Sequence, residues 1–186
     1  MYKYSLSSSC LYVFYLFFFF LNSVFGEVDF HIVDNNEEHH TDEVSQERLV
    51  VRRGQNFKMT LTLMQSFDPE HQQLVLTAKT GQHASEDKGT LSRFGYPDNI
   101  RRSSSAKAMW KVELLTGFSL PSKTVTLSIT PPADAPVGEY ELFGKLQDEE
   151  KSLGKLVVLF NPWQQHCPEW LKWQDCQVTY QKCKLK

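Results

Sequence analysis

Between Glu27 and Pro162, apolar residues recur at every second position in short runs broken by turn residues, and the span holds no cysteine. A side-chain period of two belongs to an extended strand with one buried face, so this stretch is constrained to strands packed over a shared apolar layer. The clearest run is Phe57, Met59, Leu61 and Leu63, interleaved with Lys58, Thr60 and Thr62. Similar alternation runs through Val28, Phe30 and Ile32, then Leu74, Leu76 and Ala78, and then Ala108, Trp110, Val112 and Leu114. It returns in Val125, Leu127 and Ile129 and in Tyr140, Leu142 and Gly144. Leu49-Val50-Val51 is a shorter apolar run, and the last strand, Gly154 to Phe160, reads as fully buried through Leu156-Val157-Val158-Leu159-Phe160.

Turn chemistry separates these runs. Gly54 follows Arg52-Arg53 and tolerates the positive φ of a tight turn. Asp68-Pro69, the polar stretch Gly81 to Gly89, the loop Gly95 to Ser105 and the stiff connector Pro131-Pro132 to Pro136 are further breaks. Asp34 to His40 is polar and reads as a loop. Seven to eight short strands without an amphipathic helix predict an all-β, immunoglobulin-like β-sandwich. With no cysteine inside it, such a sandwich must be held by its core rather than by disulfides.

Both ends differ from this body. In residues 1–26 the sole charge is Lys3, Leu11 to Leu21 is apolar, and Val24 and Gly26 stand at −3 and −1 from Glu27. That three-part layout predicts a signal peptide cut before Glu27, a secreted product and no membrane attachment after cleavage. The apolar run is shorter than the roughly 20 residues a spanning helix needs, which disfavours an uncleaved anchor. After residues 27–162, residues 163–186 gather Trp163, Trp170, Trp173, four lysines and Cys167, Cys176 and Cys183, which predicts a short irregular tail. An odd number of cysteines in an exported chain leaves free thiols or a disulfide to another chain as the alternatives. The formal net charge of −2 without a basic run argues against nucleic acid as a partner.

Several short segments, taken in order, resemble the N-terminal domain of the transglutaminase family. His39-His40-Thr41-Asp42 followed by Leu49-Val50-Val51-Arg52-Arg53-Gly54-Gln55-Asn56-Phe57 is similar to that domain's opening. Trp110-Lys111-Val112 looks like its mid-domain tryptophan strand, and Pro132 to Tyr140 looks like its Pro-Ala, Val-Gly-x-Tyr segment. Val158-Leu159-Phe160-Asn161-Pro162-Trp163 resembles its exit. The flavour is that of coagulation factor XIII A-like or tissue-type members, and the resemblance covers Glu27 to Trp163.

The resemblance implies cross-linking of glutamine to lysine side chains by a Cys-His-Asp core, with a Gly-Gln-Cys-Trp nucleophile and with calcium as a cofactor of that core. In this chain Gly54-Gln55 precedes Asn56 and Gly81-Gln82 precedes His83, so neither pair leads into a cysteine. No catalytic or metal residue is carried over, and no cofactor is expected. The expectation is a non-catalytic binding or scaffold module whose partners are extracellular or matrix proteins or a full-length transglutaminase. The alternatives are a truncated or splice fragment of a calcium-dependent γ-glutamyltransferase and a general immunoglobulin-like adhesion domain.

His39, His40, Arg52, Arg53 and Gly54 are the candidate docking or structural motif, with the arginines anchoring loops to a following domain or pairing with carboxylates such as Glu47. Metal binding by His31, His39, His40 and Asp42 is disfavoured, because adjacent histidines on an extended chain point to opposite sides. Zinc at His166, Cys167, Cys176 and Cys183 lacks the paired spacing such sites use. Arg101-Arg102-Ser103-Ser104 resembles a basophilic kinase site but reads better as an exposed loop, and no Asn-x-Ser/Thr sequon occurs.

Overall fold

The computed structural model describes residues 24–115 and 121–161. Two sheets face one another. The four-stranded sheet takes the order β1 (Phe25–Asp29), β3 (Phe57–Phe67), β7 (Ser122–Thr130) and β6 (Lys111–Leu114), antiparallel throughout. The five-stranded sheet takes the order β2 (Val50–Arg52), β9 (Glu149–Leu159), β8 (Gly138–Leu146), β4 (Leu74–Thr80) and β5 (Leu91–Tyr96). Only its β2–β9 pair is parallel. The architecture is the predicted all-β sandwich.

The core is built from the alternation. Phe57, Met59 and Leu61 are fully buried and Leu63 nearly so, while Lys58 and Thr62 between them stay exposed. Val125, Leu127 and Ile129 from β7 meet them across the same sheet, in register Phe57 to Ile129 and Leu61 to Val125. Leu74, Leu76, Ala78, Tyr140, Leu142, Leu156 and Val158 close the layer from the other sheet. Each such side chain contributes about 1.5–3 kcal/mol relative to staying in water, the term that carries a sandwich without internal disulfides. Trp110 sits at its centre, stacked on Phe94 at 5.7 Å between centroids and tilted against Tyr140 at 5.2 Å. The Tyr140 hydroxyl donates to the Pro136 carbonyl at 2.8 Å, tying the Pro131–Pro136 connector to β8.

The elements depart from the sequence reading in four places. β1 begins at Phe25, inside the segment assigned to the leader, and ends at Asp29. The residues read as a polar loop after it form a helix, α1 (Ile32–Glu38). β5 went unread because Leu91 and Phe94 are its only large aliphatic or phenyl side chains before Tyr96, and Ser92 and Gly95 fill buried positions. β9 is not buried on both faces: Leu156 and Val158 point inward while Val157 and Leu159 are half-buried, so the apolar run hides an ordinary alternation. Nine strands are therefore present among the described residues, against seven to eight expected.

Candidate functional site

The motif of arginines and glycine lies where β2 ends and the chain turns into β3. Gly54 adopts φ 78°, and its N–H donates to the Pro131 carbonyl at 2.7 Å. Two neighbouring guanidinium groups, Arg52 and Arg53, lead into that turn and both reach Phe160. Arg52 donates from Nε to the His39 carbonyl at 2.7 Å, from one terminal nitrogen to the Phe160 carbonyl at 3.1 Å and from the other to the His40 carbonyl at 3.2 Å. One planar fork thus joins the C-terminal end of α1 to the end of β9. Arg53 donates to the Ala135 carbonyl at 3.3 Å, and its guanidinium carbon lies 4.7 Å from the Phe160 ring centroid.

His39 is fully buried behind Arg52. Its Nδ1 accepts the Arg52 backbone N–H at 2.8 Å, and its Nε2 lies 3.1 Å from the Asn56 carbonyl. A ring that accepts at Nδ1 and donates at Nε2 is neutral, in the Nε2–H tautomer. Burial pushes its pKa down to about 4 despite the opposing hydrogen bond to Asn56. His40 takes φ 52°, a left-handed residue just past the helix. The two histidines therefore part, His39 buried and His40 exposed, because the chain leaves a helix that ends at Glu38 and turns left-handed at His40, and not because the segment is extended.

Three buried polar residues complete the cluster. Asn36 donates from Nδ2 to the Ser45 and Arg48 carbonyls at 2.8 and 2.9 Å, and its Oδ1 accepts the Val50 N–H at 2.9 Å. Asn35 does the same for Phe30, Lys58 and Lys58 N–H, at 2.6, 2.8 and 2.9 Å. Thr41 donates to the Val50 carbonyl at 2.6 Å. The sequence reading passed over Asn35 and Asn36, since consecutive asparagines among acids look like a solvated loop. The structure thus brings together His39, Arg52, Arg53 and Gly54 with Asn36 and Thr41 into a clamp around the end of β9, with His40 giving its carbonyl to it. Cys167, Cys176 and Cys183 lie outside the described residues.

As chemistry, this cluster supplies hydrogen bonds to backbone and a neutral imidazole with both nitrogens occupied. Elsewhere, Asp68, Glu70 and His71 place potential ligand atoms within 4.8 Å of one another. There the Asp68 carboxylate already accepts His71 Nδ1 at 2.8 Å and the Glu70 N–H at 3.0 Å. The Asp68 carboxyl is held below its usual range, chiefly by the hydrogen bond from His71, and His71 is raised by the same contact. An open trough of about 760 Å³ on the outer face of β4, β5 and β8 is lined by Arg93, Arg101, Lys145 and Glu150. Among the described residues no helix is long and apolar enough to cross a membrane.

Comparison with known proteins gives a consistent picture. The family model described as "Transglutaminase family" matches residues 26–147. The chain is 34% identical over 138 residues to Protein 4.2 from Bos taurus, covering 73% of this chain and 19% of that protein. It is 33% identical over 145 residues to protein-glutamine γ-glutamyltransferase 2 from Mus musculus, covering 75% and 20%. Among solved structures, red sea bream transglutaminase superposes with a TM-score of 0.57 at 26% identity, covering 81% of this chain and 22% of that one. The chain therefore spans about a fifth of the length of the relatives it matches.

Proposed function

The chain belongs to the transglutaminase family and corresponds to its N-terminal sandwich, and on that premise we propose that it works as a non-catalytic binding or scaffold module in protein cross-linking. The observation that carries this reading is the clamp. The polar residues that mark the family in this sequence are spent on backbone: Arg52 on the His39, His40 and Phe160 carbonyls, and His39 on Arg52 and Asn56. A side chain so engaged sets where the chain leaves the sandwich and does no chemistry on a substrate. The absence of any cysteine after Gly54-Gln55 or Gly81-Gln82 points the same way. In this reading the module is exported, and its partners are extracellular or matrix proteins or a full-length transglutaminase. Purified protein in calcium, supplied with a primary amine and a glutamine-bearing protein, is expected to incorporate no amine above background. Calcium-dependent incorporation would sink the proposal.

A second reading is favoured by the coverage of about a fifth of each relative: the sequence is the front part of a complete γ-glutamyltransferase. Sequencing the transcript beyond Trp163 separates the two. An open frame that reaches Gly-Gln-Cys-Trp establishes the second reading and removes the first. Family membership also overturns the accidental motif match that a general adhesion domain would require.

A further inference from the structure

The residues that mark a peptidase site in the sequence have a full structural explanation of their own. Phe25 is 1% exposed, sits within the core cluster and pairs with Leu63 of β3. The Met64 N–H donates to the Val24 carbonyl at 2.9 Å, and Lys151 Nζ donates to the Phe25 carbonyl at 3.0 Å. A Cβ on Gly26 would stand 2.8 Å from the Thr62 carbonyl oxygen, so the small residue at this position is needed for β1 to approach β3. On the opposite sheet, a Cβ on Gly144 would stand 3.1 Å from the Phe25 ring, which shows how closely the ring fills its space. Hydrolysis at Gly26–Glu27 would take out this ring, the Val24 bond to β3 and the start of β1 together.

We propose that Val24, Phe25 and Gly26 stay on the working domain, and that leader removal falls at or before the Ser23–Val24 bond. This rests on the reading of the chain as exported. In that hydrolysis one water adds across the amide, leaving a carboxylate on Ser23 and a free amine on Val24. The receiving group is in place, since the Val24 nitrogen lies 2.6 Å from Glu149 Oε2. An α-amine with an ordinary pKa of about 8 is a cation at neutral pH, so the new terminus becomes a charge-assisted partner of that carboxylate. Glu149 opens β9, and the contact ties the first residue of the domain to the sheet opposite β1.

The test is to express residues 1–186 in a secreting animal cell and sequence the N-terminus of the purified product, with Phe25→Ala and Phe25→Leu alongside. A first residue at Val24 or earlier is expected, and a first residue at Glu27 overturns the proposal. If Phe25 were lost with the leader, both variants would be chemically identical to the unsubstituted product and would melt at the same temperature. If it is retained, Phe25→Ala lowers the melting midpoint by roughly 10 °C and Phe25→Leu by less. Should the alanine variant fail to accumulate, the leucine variant carries the comparison. If the full chain stays in the cell with residues 1–23 attached, the export reading and the cleavage half of the proposal both fail, and the melting comparison on extracted protein then tests separately whether Phe25 belongs to the working domain.

Discussion

His39 shows how one buried ring couples the clamp to pH. Both ring nitrogens are occupied by groups that fit only the neutral form, and burial lowers the pKa from 6.5 to about 4. Between those values the unfolded chain binds a proton that the folded chain does not, so stability is full above about pH 6.5 and falls as pH drops toward 4. The loss is at most about 3 kcal/mol for a shift of this size. Urea midpoints measured from pH 7.5 to pH 4.5 are expected to fall, and in His39→Gln, which cannot take the proton, the profile is expected to flatten over the same range. Arg52 is the partner residue. Arg52→Ala removes donors to three carbonyls and is expected to destabilise the domain by about 2 kcal/mol in chemical unfolding. Arg52→Lys is not expected to restore it, since a single ammonium cannot span α1 and β9 at once. The sequence singled out His39, Arg52 and Gly54 because their order is a family pattern. It could not show that they meet, because His39 and Arg52 are 13 positions apart and Phe160 is 108 from Arg52.

At the level of elements, α1 is made by its surroundings. Its sequence Ile-Val-Asp-Asn-Asn-Glu-Glu opens on five weak helix formers, and His31 enters it with φ 44° and no side-chain cap. What holds it is the pair Asn35 and Asn36, whose amides stand in for a sheet ladder along β3 and β2. Asn36→Ala deletes three bonds, one to the buried Val50 N–H and two to the part-buried Ser45 and Arg48 carbonyls. It is expected to cost about 3 kcal/mol, read as a lowered denaturant midpoint with the slope unchanged. A polar stretch reads as a loop until the buried acceptors it serves are known. β5 was hidden for a related reason: the buried Ser92 hydroxyl accepts the Trp110 backbone N–H at 3.0 Å, a need that no apolar pattern reveals. β9 erred the other way, since five consecutive apolar residues suggested two buried faces where the outer one only half-closes.

For the whole molecule, the two sheets share one apolar cluster with a buried residue from every strand except β6, whose partly buried Val112 and Leu114 pack against it. The sandwich contains no cysteine from Val24 to Asn161. Adding a reductant is therefore expected to leave the thermal midpoint of the sandwich unchanged, whatever Cys167, Cys176 and Cys183 do. Differential scanning calorimetry with and without dithiothreitol checks this. A large downward shift would place a stabilising disulfide outside the sandwich in contact with it.

Period-two alternation, the glycine and proline breaks and the order of the family segments are local, and they were enough for the all-β class, the strands of the central layer and the family. Each depends only on the chemistry of neighbouring residues along the chain. The clamp at Arg52, the helix at Asn35 and Asn36, the strand at Ser92 and the start of β1 at Phe25 were decided by groups distant in sequence. A buried carbonyl takes a donor from wherever the fold brings one, and a core position takes the ring that fits it. Such demands arise only once the sheets have closed on each other, so no local pattern carries them.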